Sequence, residues 1–228
     1  MTDEKKYSYC KSCGHIIVTR EVNNLLTELS GCLISAVGCS APIPNFVDCN
    51  VLCMPHGRAL PGATGIRLKY PNMPIIAYCG DGDSLNIGIE HLVHSAARNM
   101  NLVLVIVNNS SFAMTGFQMS AGTPVGMKTN TCKEGRNEEK HGLPIDTIFA
   151  QKLNPNVHLI RCHVTDKQGI NHFREHLKNE ITYKGFSVIE VFSPCPTLFG
   201  NVKKSYEFAK EQYDIAIVPK CNCGRLET

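Results

Sequence analysis

Residues 80–83 place two glycines and two aspartates, in the order Gly-Asp-Gly-Asp, between an apolar run and an amphipathic segment. The apolar run, residues 74–79, is predicted to be a buried strand, and a helix is expected to start at once with Asp83 or Ser84 as its N-cap. Glycine lets a ligand approach the backbone closely, and the free N–H groups at a helix N-terminus attract anions. A loop of this kind is therefore predicted to bind phosphate.

Asp81 adds a hard oxygen ligand to the same loop. An aspartate beside phosphate oxygens repels them unless a cation lies between, and Mg²⁺ suits this combination of carboxylate and phosphate. The next apolar run, residues 102–107, is predicted to be the neighbouring parallel strand, and it delivers Asn109 to the same edge of the sheet. Considered alone, Asp81 is equally well explained as a helix-capping residue, because Gly-Asp-Gly is common in turns.

Cysteine is abundant, with 12 residues in a chain of 228. Cys10 and Cys13 have the two-residue spacing that zinc knuckles and iron–sulfur clusters share, and from the spacing alone zinc is the first interpretation and a pair of free thiols the second. Most of the others are expected to be buried small hydrophobic residues: Cys32, Cys49, Cys53, Cys79, Cys132 and Cys162. Cys221 and Cys223, near the end of the chain, are not assigned a role.

The length allows one domain with a substantial apolar core. The formal net charge of +3 is small and scattered, which gives no reason to expect a nucleic-acid partner. The cysteine spacing does not suggest a secreted disulfide scaffold, no apolar run is long enough to suggest a membrane span, and the polar residues 1–9 do not resemble a signal peptide. The protein is expected to be soluble and cytoplasmic.

Hydrophobic periodicity predicts that strands and helices alternate along the chain. The predicted strands cover residues 32–37, 74–79, 102–107, 157–164 and 186–192. The predicted helices cover residues 16–29, 56–68, 85–99, 168–182 and 205–213, and the last is expected to pack on a partner. Residues 41–54 are expected to be loop and short strand, and residues 116–144 a long functional or mobile loop. The alternation indicates an α/β fold with a doubly wound, mainly parallel sheet that binds its ligands at the carboxyl ends of the strands.

The Gly-Asp-Gly of residues 80–82, followed by 25 residues and then Asn108 and Asn109, resembles the diphosphate and magnesium motif of thiamine-diphosphate enzymes. The surrounding sequence resembles the beta subunit of the 2-oxoacid:ferredoxin oxidoreductases. The blocks that carry this resemblance are residues 10–15, 38–40, 56–59, 62–66, 114–118 and 193–197. Matches in this order are hard to obtain by chance, whereas Gly-Asp-Gly alone would be a weak signal.

The resemblance implies a Mg²⁺ ion held by the side chains of Asp81 and Asn109 and by the backbone carbonyl of Ser111. It also implies a [4Fe-4S] cluster on four cysteines, each in a matching block: Cys10, Cys13, Cys39 and Cys195. The residues expected to bind thiamine diphosphate are His56, Gly57, Gly80, Asp81, Gly82, Asp83, Asn109, Ser111 and Thr115, and Gly116 and Gln118 are expected to shape the diphosphate loop. From residue type alone, His56 and Arg58 are explained as a loop histidine and a surface arginine.

In function, the resemblance implies thiamine-diphosphate-dependent oxidative decarboxylation of a 2-oxo acid to an acyl-CoA, with electron transfer through the cluster to ferredoxin. Residues 1–228 are expected to form a single thiamine-diphosphate-binding domain with an N-terminal iron–sulfur cysteine segment and a C-terminal partner-contacting tail. An alpha subunit is expected to carry the pyrimidine-binding domain and the catalytic carboxylate. No catalytic acid or base is therefore assigned to this chain, and Glu90 is expected to be a solvated residue on a helix face.

The blocks 114–118 and 193–197 most resemble the 2-oxoglutarate-type and pyruvate-type members of the family. Of these two acids 2-oxoglutarate is slightly favoured, and branched-chain and aryl 2-oxo acids stay open. Some relatives carry a basic residue shortly after the third cluster cysteine, where this chain has Pro42, so the substrate does not transfer with the resemblance. Two alternatives belong to other classes. One is a non-oxidative thiamine-diphosphate decarboxylase, which would not use the four cysteines, and the other is a zinc-stabilised scaffold subunit without turnover.

Overall fold

A parallel sheet of six strands organises the described part of the protein. The structure is a computed structural model and describes residues 8–137, 145–150 and 153–217. The strands are β1 (Cys32–Ala36), β2 (Asn50–Met54), β3 (Ile75–Gly80), β4 (Leu102–Asn108), β5 (His158–His163) and β6 (Phe186–Phe192). They pair in the order β2-β1-β3-β4-β6-β5, and every neighbouring pair is parallel. The predicted α/β fold with a doubly wound parallel sheet is confirmed.

Helices cover both faces of this sheet. Their bounds are α1 (Gly14–Glu28), α2 (Ala59–Lys69), α3 (Ile89–Ala97), α4 (Ile145–Ala150), α5 (Lys167–Glu180), α6 (Pro196–Phe199) and α7 (Val202–Ile217). Leu92 of α3 belongs to the core cluster that contains Leu104 of β4. Phe173 of α5 belongs to a second cluster that contains the next strand residue, Val105. Adjacent strand residues thus point into different cores, which explains why the strand sequences are almost continuously apolar.

The order of the strands reverses direction at β1. Strand β2 lies on one side of β1, and the following strand, β3, lies on the other. In parallel α/β sheets such a reversal opens a crevice beyond the carboxyl ends of the two strands, and ligands bind there. The chain leaves β1 toward Cys39 and leaves β3 toward Asp81, so the topology brings a cysteine and an aspartate to the two sides of one crevice.

The helical segment after β3 differs from the prediction. Helical backbone starts at Asp81, continues through a π-helical turn (Asp83–Ile87), and resumes as α3 after Gly88. The prediction that Asp83 or Ser84 caps the helix is therefore wrong, since both residues lie inside the turn. A Cβ atom on Gly88 would lie 2.9 Å from the carbonyl oxygen of Gly57, so the wide turn and the glycine together let this segment lie close to the loop before α2. Turns of this kind are frequent at functional sites.

Edge position explains one wrong expectation about the cysteines. Cys53 is exposed and Cys49 is half-buried, because they lie in and beside β2, which has a neighbour on one side only. The expectation of burial holds for the other members of that group, Cys32, Cys79, Cys132 and Cys162.

Helix α7 is longer than the predicted 205–213 and packs on its own chain. Its buried residues include Ala209 and Tyr213, and it contacts β5 and β6. Contact of the C-terminal tail with a partner stays a prediction, and Cys221 and Cys223 lie outside the described residues, as do residues 138–144 of the predicted loop. Among the described helices, none has the length and apolar character needed to cross a membrane.

Candidate cofactor and metal site

Three of the predicted site residues meet at the carboxyl edge of β3 and β4. Asp81, Asn109 and Ser111 are all buried. A terminal atom of the Asn109 side-chain amide lies 2.8 Å from the carbonyl oxygen of Ser111 and 3.2 Å from Oδ1 of Asp81. As a nitrogen, that atom donates to both oxygens; a half-turn of the amide puts its oxygen there instead. We call the resulting set of Asp81 Oδ1, the Asn109 amide oxygen and the Ser111 carbonyl oxygen the oxygen trio.

The oxygen trio has the spacing of a magnesium site. Octahedral Mg²⁺ binds oxygens at 2.0–2.1 Å, which puts neighbouring ligands about 3 Å apart. The 2.8 and 3.2 Å separations bracket that value. The Ser111 hydroxyl beside the trio is buried and has no hydrogen-bond partner within the described residues. The residues present therefore fit a hard cation, with one further oxygen unused.

Asp81 is held at this place by the loop that follows the motif. Its second oxygen, Oδ2, accepts a short hydrogen bond from the hydroxyl of Ser120. A Cβ atom on Gly122 would lie 2.7 Å from that same Oδ2, so the glycine lets the loop backbone approach the carboxylate. The Thr123 hydroxyl donates to the carbonyl oxygen of Ser110 at 2.7 Å. This fixes the loop across the site and leaves Oδ1 of Asp81 to the oxygen trio.

Because Asp81 is buried, its ionised form is unfavourable unless a cation lies nearby. Loss of hydration raises the pKa of Asp81 to about 7, although the Ser120 hydroxyl and backbone N–H groups, including that of Asn109, oppose the rise. A bound Mg²⁺ supplies the positive charge that favours the ionised form. The raised pKa of Asp81 and the spacing of the oxygen trio thus both fit a hard cation.

The two glycines of the motif have different surroundings. A Cβ atom on Gly80 would meet no atom of the described chain within 4 Å, so the space beside it is open. A Cβ atom on Gly82 would lie 2.5 Å from Cδ1 of Phe112. The ring of Phe112 lies 6.0 Å from that of His56, centroid to centroid. Gly80 thus borders an open space, whereas the absence of a side chain at Gly82 leaves room for the ring of Phe112.

Asp83 joins the motif to the block that contains His56 and Gly57. Its Oδ1 accepts the backbone N–H of Gly57 at 2.6 Å and contacts Nδ1 of His56. Burial raises the pKa of Asp83, and the donors at Gly57 and His56 oppose the rise. Gly57 has a φ of +76°, which favours glycine. The contact with Asp83 therefore orients His56. Arg58 points elsewhere, with its Nη1 3.5 Å from Oε1 of the exposed Glu90.

The turn that contains Thr115 is stabilised by its own side chains. The Thr115 hydroxyl donates to Oε1 of Gln118 at 2.7 Å, and Nε2 of Gln118 donates to the Thr115 carbonyl oxygen at 2.7 Å. Gly116 has a φ of +109°. Thr115 is exposed, and the described contacts assign it to turn structure next to the site.

The four predicted cluster cysteines lie in one neighbourhood. The carbonyl oxygen of Cys10 accepts the N–H of Cys13 at 3.1 Å, and the next residue, Gly14, donates to the carbonyl oxygen of Pro194 at 3.1 Å. These contacts tie the Cys10–Cys13 turn to the segment that carries Cys195. Burial, together with the charges of Cys195, Cys39 and Cys10, raises the pKa of Cys13 to about 12. All four sulfurs are therefore within electrostatic range of one another.

Backbone N–H groups lie near three of these sulfurs and oppose the rise in their pKa. The N–H of His15 lowers the pKa of Cys13, and that of Met114 lowers the pKa of Cys39. Those of Leu198 and Thr197 lower the pKa of Cys195, and the Leu198 N–H also donates to the Cys195 carbonyl oxygen at 3.1 Å. Donors aimed at sulfur stabilise thiolates and tune the reduction potential of iron–sulfur clusters.

A single zinc ion fits these cysteines poorly. Tetrahedral zinc with Zn–S bonds of about 2.3 Å requires sulfurs about 3.8 Å apart. Within residues 8–137, 145–150 and 153–217, no three His, Cys, Asp or Glu side chains come together closely enough to hold one metal ion.

The cysteines and the oxygen trio are neighbours across the crevice. Burial raises the pKa of Cys39 to about 12, and the next causes are the charges of Cys195 and Asp81. Asp81 also contributes to the raised pKa of Cys195, after burial and Cys10. A redox group on the four thiols would thus lie within electrostatic range of whatever the oxygen trio holds.

Sequence reasoning missed Ser120, Gly122 and Phe112. The first two lie in a segment without periodicity, and Phe112 stands between two recognised blocks, so no pattern pointed to them. Their positions depend on how the loop folds back over Asp81, which local sequence does not specify.

Comparisons with known proteins found similarity over most of the chain. Residues 31–191 match the family model "Thiamine pyrophosphate enzyme, C-terminal TPP binding domain", thiamine pyrophosphate being another name for thiamine diphosphate. The chain is 34% identical over 199 residues to the 2-oxoglutarate synthase subunit KorB of Methanothermobacter thermautotrophicus, covering 85% of this chain and 67% of that protein. It is 30% identical over 215 residues to the 2-oxoacid:ferredoxin oxidoreductase subunit beta of Saccharolobus solfataricus, covering 91% and 68%.

A solved structure is similar as well. It is the 2-oxoglutarate:ferredoxin oxidoreductase from Magnetococcus marinus with 2-oxoglutarate, coenzyme A and succinyl-CoA bound, with a TM-score of 0.72 and 27% identity. The match covers 86% of this chain and 66% of that chain. The present chain thus spans about two thirds of the length of the proteins it resembles.

The two motif glycines give a matched pair of substitutions. Gly82→Ala forces the Phe112 ring to move, and we expect it to lower the free energy of unfolding of the cofactor-free protein by about 1–3 kcal/mol. Gly80→Ala adds a methyl group to open space, so we expect no loss of stability. Urea denaturation of both variants measures this. Equal losses at the two positions would contradict the open space described beside Gly80.

Proposed function

The chain belongs to the beta subunits of the 2-oxoacid:ferredoxin oxidoreductases, and from that premise we propose that it binds thiamine diphosphate through Mg²⁺ and passes electrons to a [4Fe-4S] cluster. One observation carries the proposal. The oxygen trio and the four cysteines lie at one edge of the sheet, near enough for the charge of Asp81 to act on Cys39 and Cys195. Transfer of electrons from a cofactor at the oxygen trio to a cluster requires that the trio and the four cysteines lie close together.

The oxygen trio would hold Mg²⁺, and the open space beside Gly80 would take the diphosphate. Magnesium keeps several positions for ligand oxygens and prefers one or two protein carboxylates together with phosphate. Asp81 supplies that carboxylate, while Ser120 and Gly122 hold its Oδ2 and leave Oδ1 beside the oxygens of Asn109 and Ser111. His56, oriented by Asp83, faces the same region beside Phe112. These residues bind and orient; none of them is assigned a proton-transfer step.

The four cysteines Cys10, Cys13, Cys39 and Cys195 would hold the cluster. The raised thiol pKa values mean that thiolates here need nearby positive charge, which the iron of a cluster provides. The backbone N–H groups of His15 and Met114 would then serve as donors to the ligating sulfurs.

The proposed reaction is the oxidative decarboxylation of a 2-oxo acid. Bound thiamine diphosphate supplies the carbanion chemistry that cleaves the bond between the carboxylate and the keto carbon; coenzyme A accepts the acyl group, and the cluster carries the electrons to ferredoxin one at a time. We favour 2-oxoglutarate over pyruvate as the acid, because a relative at 34% identity is named 2-oxoglutarate synthase and the similar structure holds 2-oxoglutarate.

Partner subunits complete this proposal. An alpha subunit would bind the pyrimidine ring and supply the catalytic carboxylate, which agrees with the exposure of Glu90, the acidic residue nearest the motif on α3. Ferredoxin would be the electron acceptor, and the assembly would be a cytoplasmic hetero-oligomer. The two alternatives, a non-oxidative decarboxylase and a zinc-stabilised scaffold, both leave the cysteine group without an electron-transfer role.

Asp81→Asn tests the metal clamp. The substitution removes the one negative ligand of the oxygen trio, so we expect the affinity for thiamine diphosphate at fixed Mg²⁺ to fall roughly 100-fold. Isothermal calorimetry on the assembled complex, stripped of cofactor, measures the dissociation constant. Glu90→Gln, which removes an exposed carboxylate from the adjacent helix, is the matched control and should leave the affinity unchanged. Wild-type affinity in the Asp81 variant would contradict the clamp.

Cys195→Ser tests the cluster. We expect the anaerobically purified variant to lose the electron paramagnetic resonance signal of the reduced cluster and coenzyme-A-dependent dye reduction, because serine is a poor ligand for cluster iron. Cys53→Ser replaces an exposed thiol of β2 and should change neither. Zinc in place of iron in the wild-type complex would favour the scaffold alternative, and retained electron transfer in the Cys195 variant would rule out this cluster assignment.

A further inference from the structure

A chain of buried polar side chains lies behind the oxygen trio and reaches across three strands. It consists of Asn108 at the end of β4, Glu190 in β6 and Arg161 in β5, all at most 6% exposed. The side-chain Nδ2 of Asn108 donates to Oε1 of Glu190 at 2.8 Å, and Nε of Arg161 donates to Oε2 at 3.0 Å. Each carboxylate oxygen thus serves a different partner.

The register of the sheet makes this chain of contacts possible. Glu190 is the register partner of Ile106 on one side and of Arg161 on the other. Asn108 lies two residues beyond Ile106 and therefore on the same face of the sheet. Polar residues in such strands are costly unless they are paired, and here three of them pair with one another on one face of three neighbouring strands.

The Asn108 end of the chain holds the backbone of the metal loop. With Nδ2 committed to Glu190, Oδ1 of Asn108 points back and accepts the backbone N–H of Ser110 at 3.0 Å. Ser110 has a φ of +68°, a left-handed conformation that a serine adopts only when its surroundings hold it there. Ser110 lies between Asn109 and Ser111, and its conformation turns their two oxygens toward each other.

The Arg161 end connects the same chain to two helices. Nη1 of Arg161 donates to the carbonyl oxygen of Ala216 near the end of α7 at 2.9 Å, and Nη2 pairs with Asp146 in α4. Burial alone would lower the pKa of Arg161, but Glu190 and Asp146 outweigh it and raise the pKa, so the arginine stays charged. Glu190 therefore has a permanent cation on the side away from Asn108.

We propose that Glu190 is a positioning residue for the oxygen trio: it fixes the Asn108 amide, which holds Ser110 in the conformation that sets Asn109 and Ser111 around the metal. Arg161 neutralises Glu190 and ties this support to α4 and α7. The inference rests on the proposed function, because the oxygen trio is the proposed magnesium site. It adds residues from β5 and β6 that are not members of the oxygen trio.

Glu190→Gln tests the proposal directly. Glutamine has one acceptor oxygen where the carboxylate has two, and charged Arg161 competes better for it than a neutral amide does. Asn108 then faces an amide nitrogen and loses its partner. We expect the Mg²⁺ concentration needed for half-maximal thiamine diphosphate binding to the assembled, cofactor-stripped complex to rise about tenfold, measured by calorimetry.

Glu180→Gln is the matched control. Glu180 is another buried carboxylate, but it accepts from Ser187 and from Nδ1 of His158, at the amino end of β6 and β5, far along the sheet from the trio. We expect this variant to lower the melting temperature without changing the Mg²⁺ requirement. An equal Mg²⁺ effect in the two variants would reduce Glu190 to a general stabilising residue and overturn the proposal.

The double variant Glu190→Gln with Arg161→Met separates position from charge. Without the arginine, the glutamine oxygen is free to accept from Asn108, so we expect the Mg²⁺ requirement to return toward the wild-type value. It also leaves no buried unpaired charge should the single variant fold poorly. A double variant that folds but is no better than the single one would overturn the role of Asn108. A wild-type complex without Mg²⁺-dependent binding would instead refute the proposed function itself.

Discussion

The rest of the site depends on the buried carboxyl group of Asp81. It is 1% exposed, and burial raises its pKa to about 7, so the folded chain holds an acid that water no longer stabilises. A nearby cation favours the ionised form. The oxygens of Asn109 and Ser111 are spaced as neighbouring ligands of an octahedral Mg²⁺ ion are spaced. The Ser120 hydroxyl donates to Oδ2 of Asp81, which leaves Oδ1 to face the oxygens of Asn109 and Ser111. The proposed Mg²⁺ would thus stabilise the aspartate as an anion.

Parallel topology explains why two kinds of chemistry meet at this aspartate. Strands β1, β3, β4 and β6 all end at one edge, and the reversal of strand order lies between β1 and β3. Cys39 follows β1, Cys195 follows β6, and the contact between Gly14 and Pro194 brings the Cys10–Cys13 turn to the same place. The proposed magnesium and cluster sites can therefore be neighbours although their residues come from distant parts of the sequence.

The sequence predicted what depends on local pattern and spacing. The apolar runs located β3 and β4, and the resemblance drew attention to Asp81, Asn109 and Ser111, which the structure brings together. It did not predict the π-helical turn, because local sequence does not show that Gly57 and Gly88 come close together. Nor did it reveal the exposure of Cys53, since an edge strand is defined by strand order.

Long-range polar contacts were also beyond the sequence. Arg161 and Glu190 stand inside apolar runs that predict strands, and neither run indicates that they share a register. Ser120 and Gly122 lie in an aperiodic segment and acquire their role only when the loop folds over Asp81. In each case the missing information was which distant residues become neighbours across the sheet.

We propose that cofactor chemistry in this chain is coupled to electron exit through the four cysteines. The most direct measurement is an anaerobic assay of the complex purified with its natural partners, following coenzyme-A-dependent reduction of a viologen dye with a panel of 2-oxo acids. We expect reduction with 2-oxoglutarate to exceed that with pyruvate and with branched-chain or aryl acids. No reduction with any acid, in a preparation shown to contain thiamine diphosphate and iron, would contradict the claim.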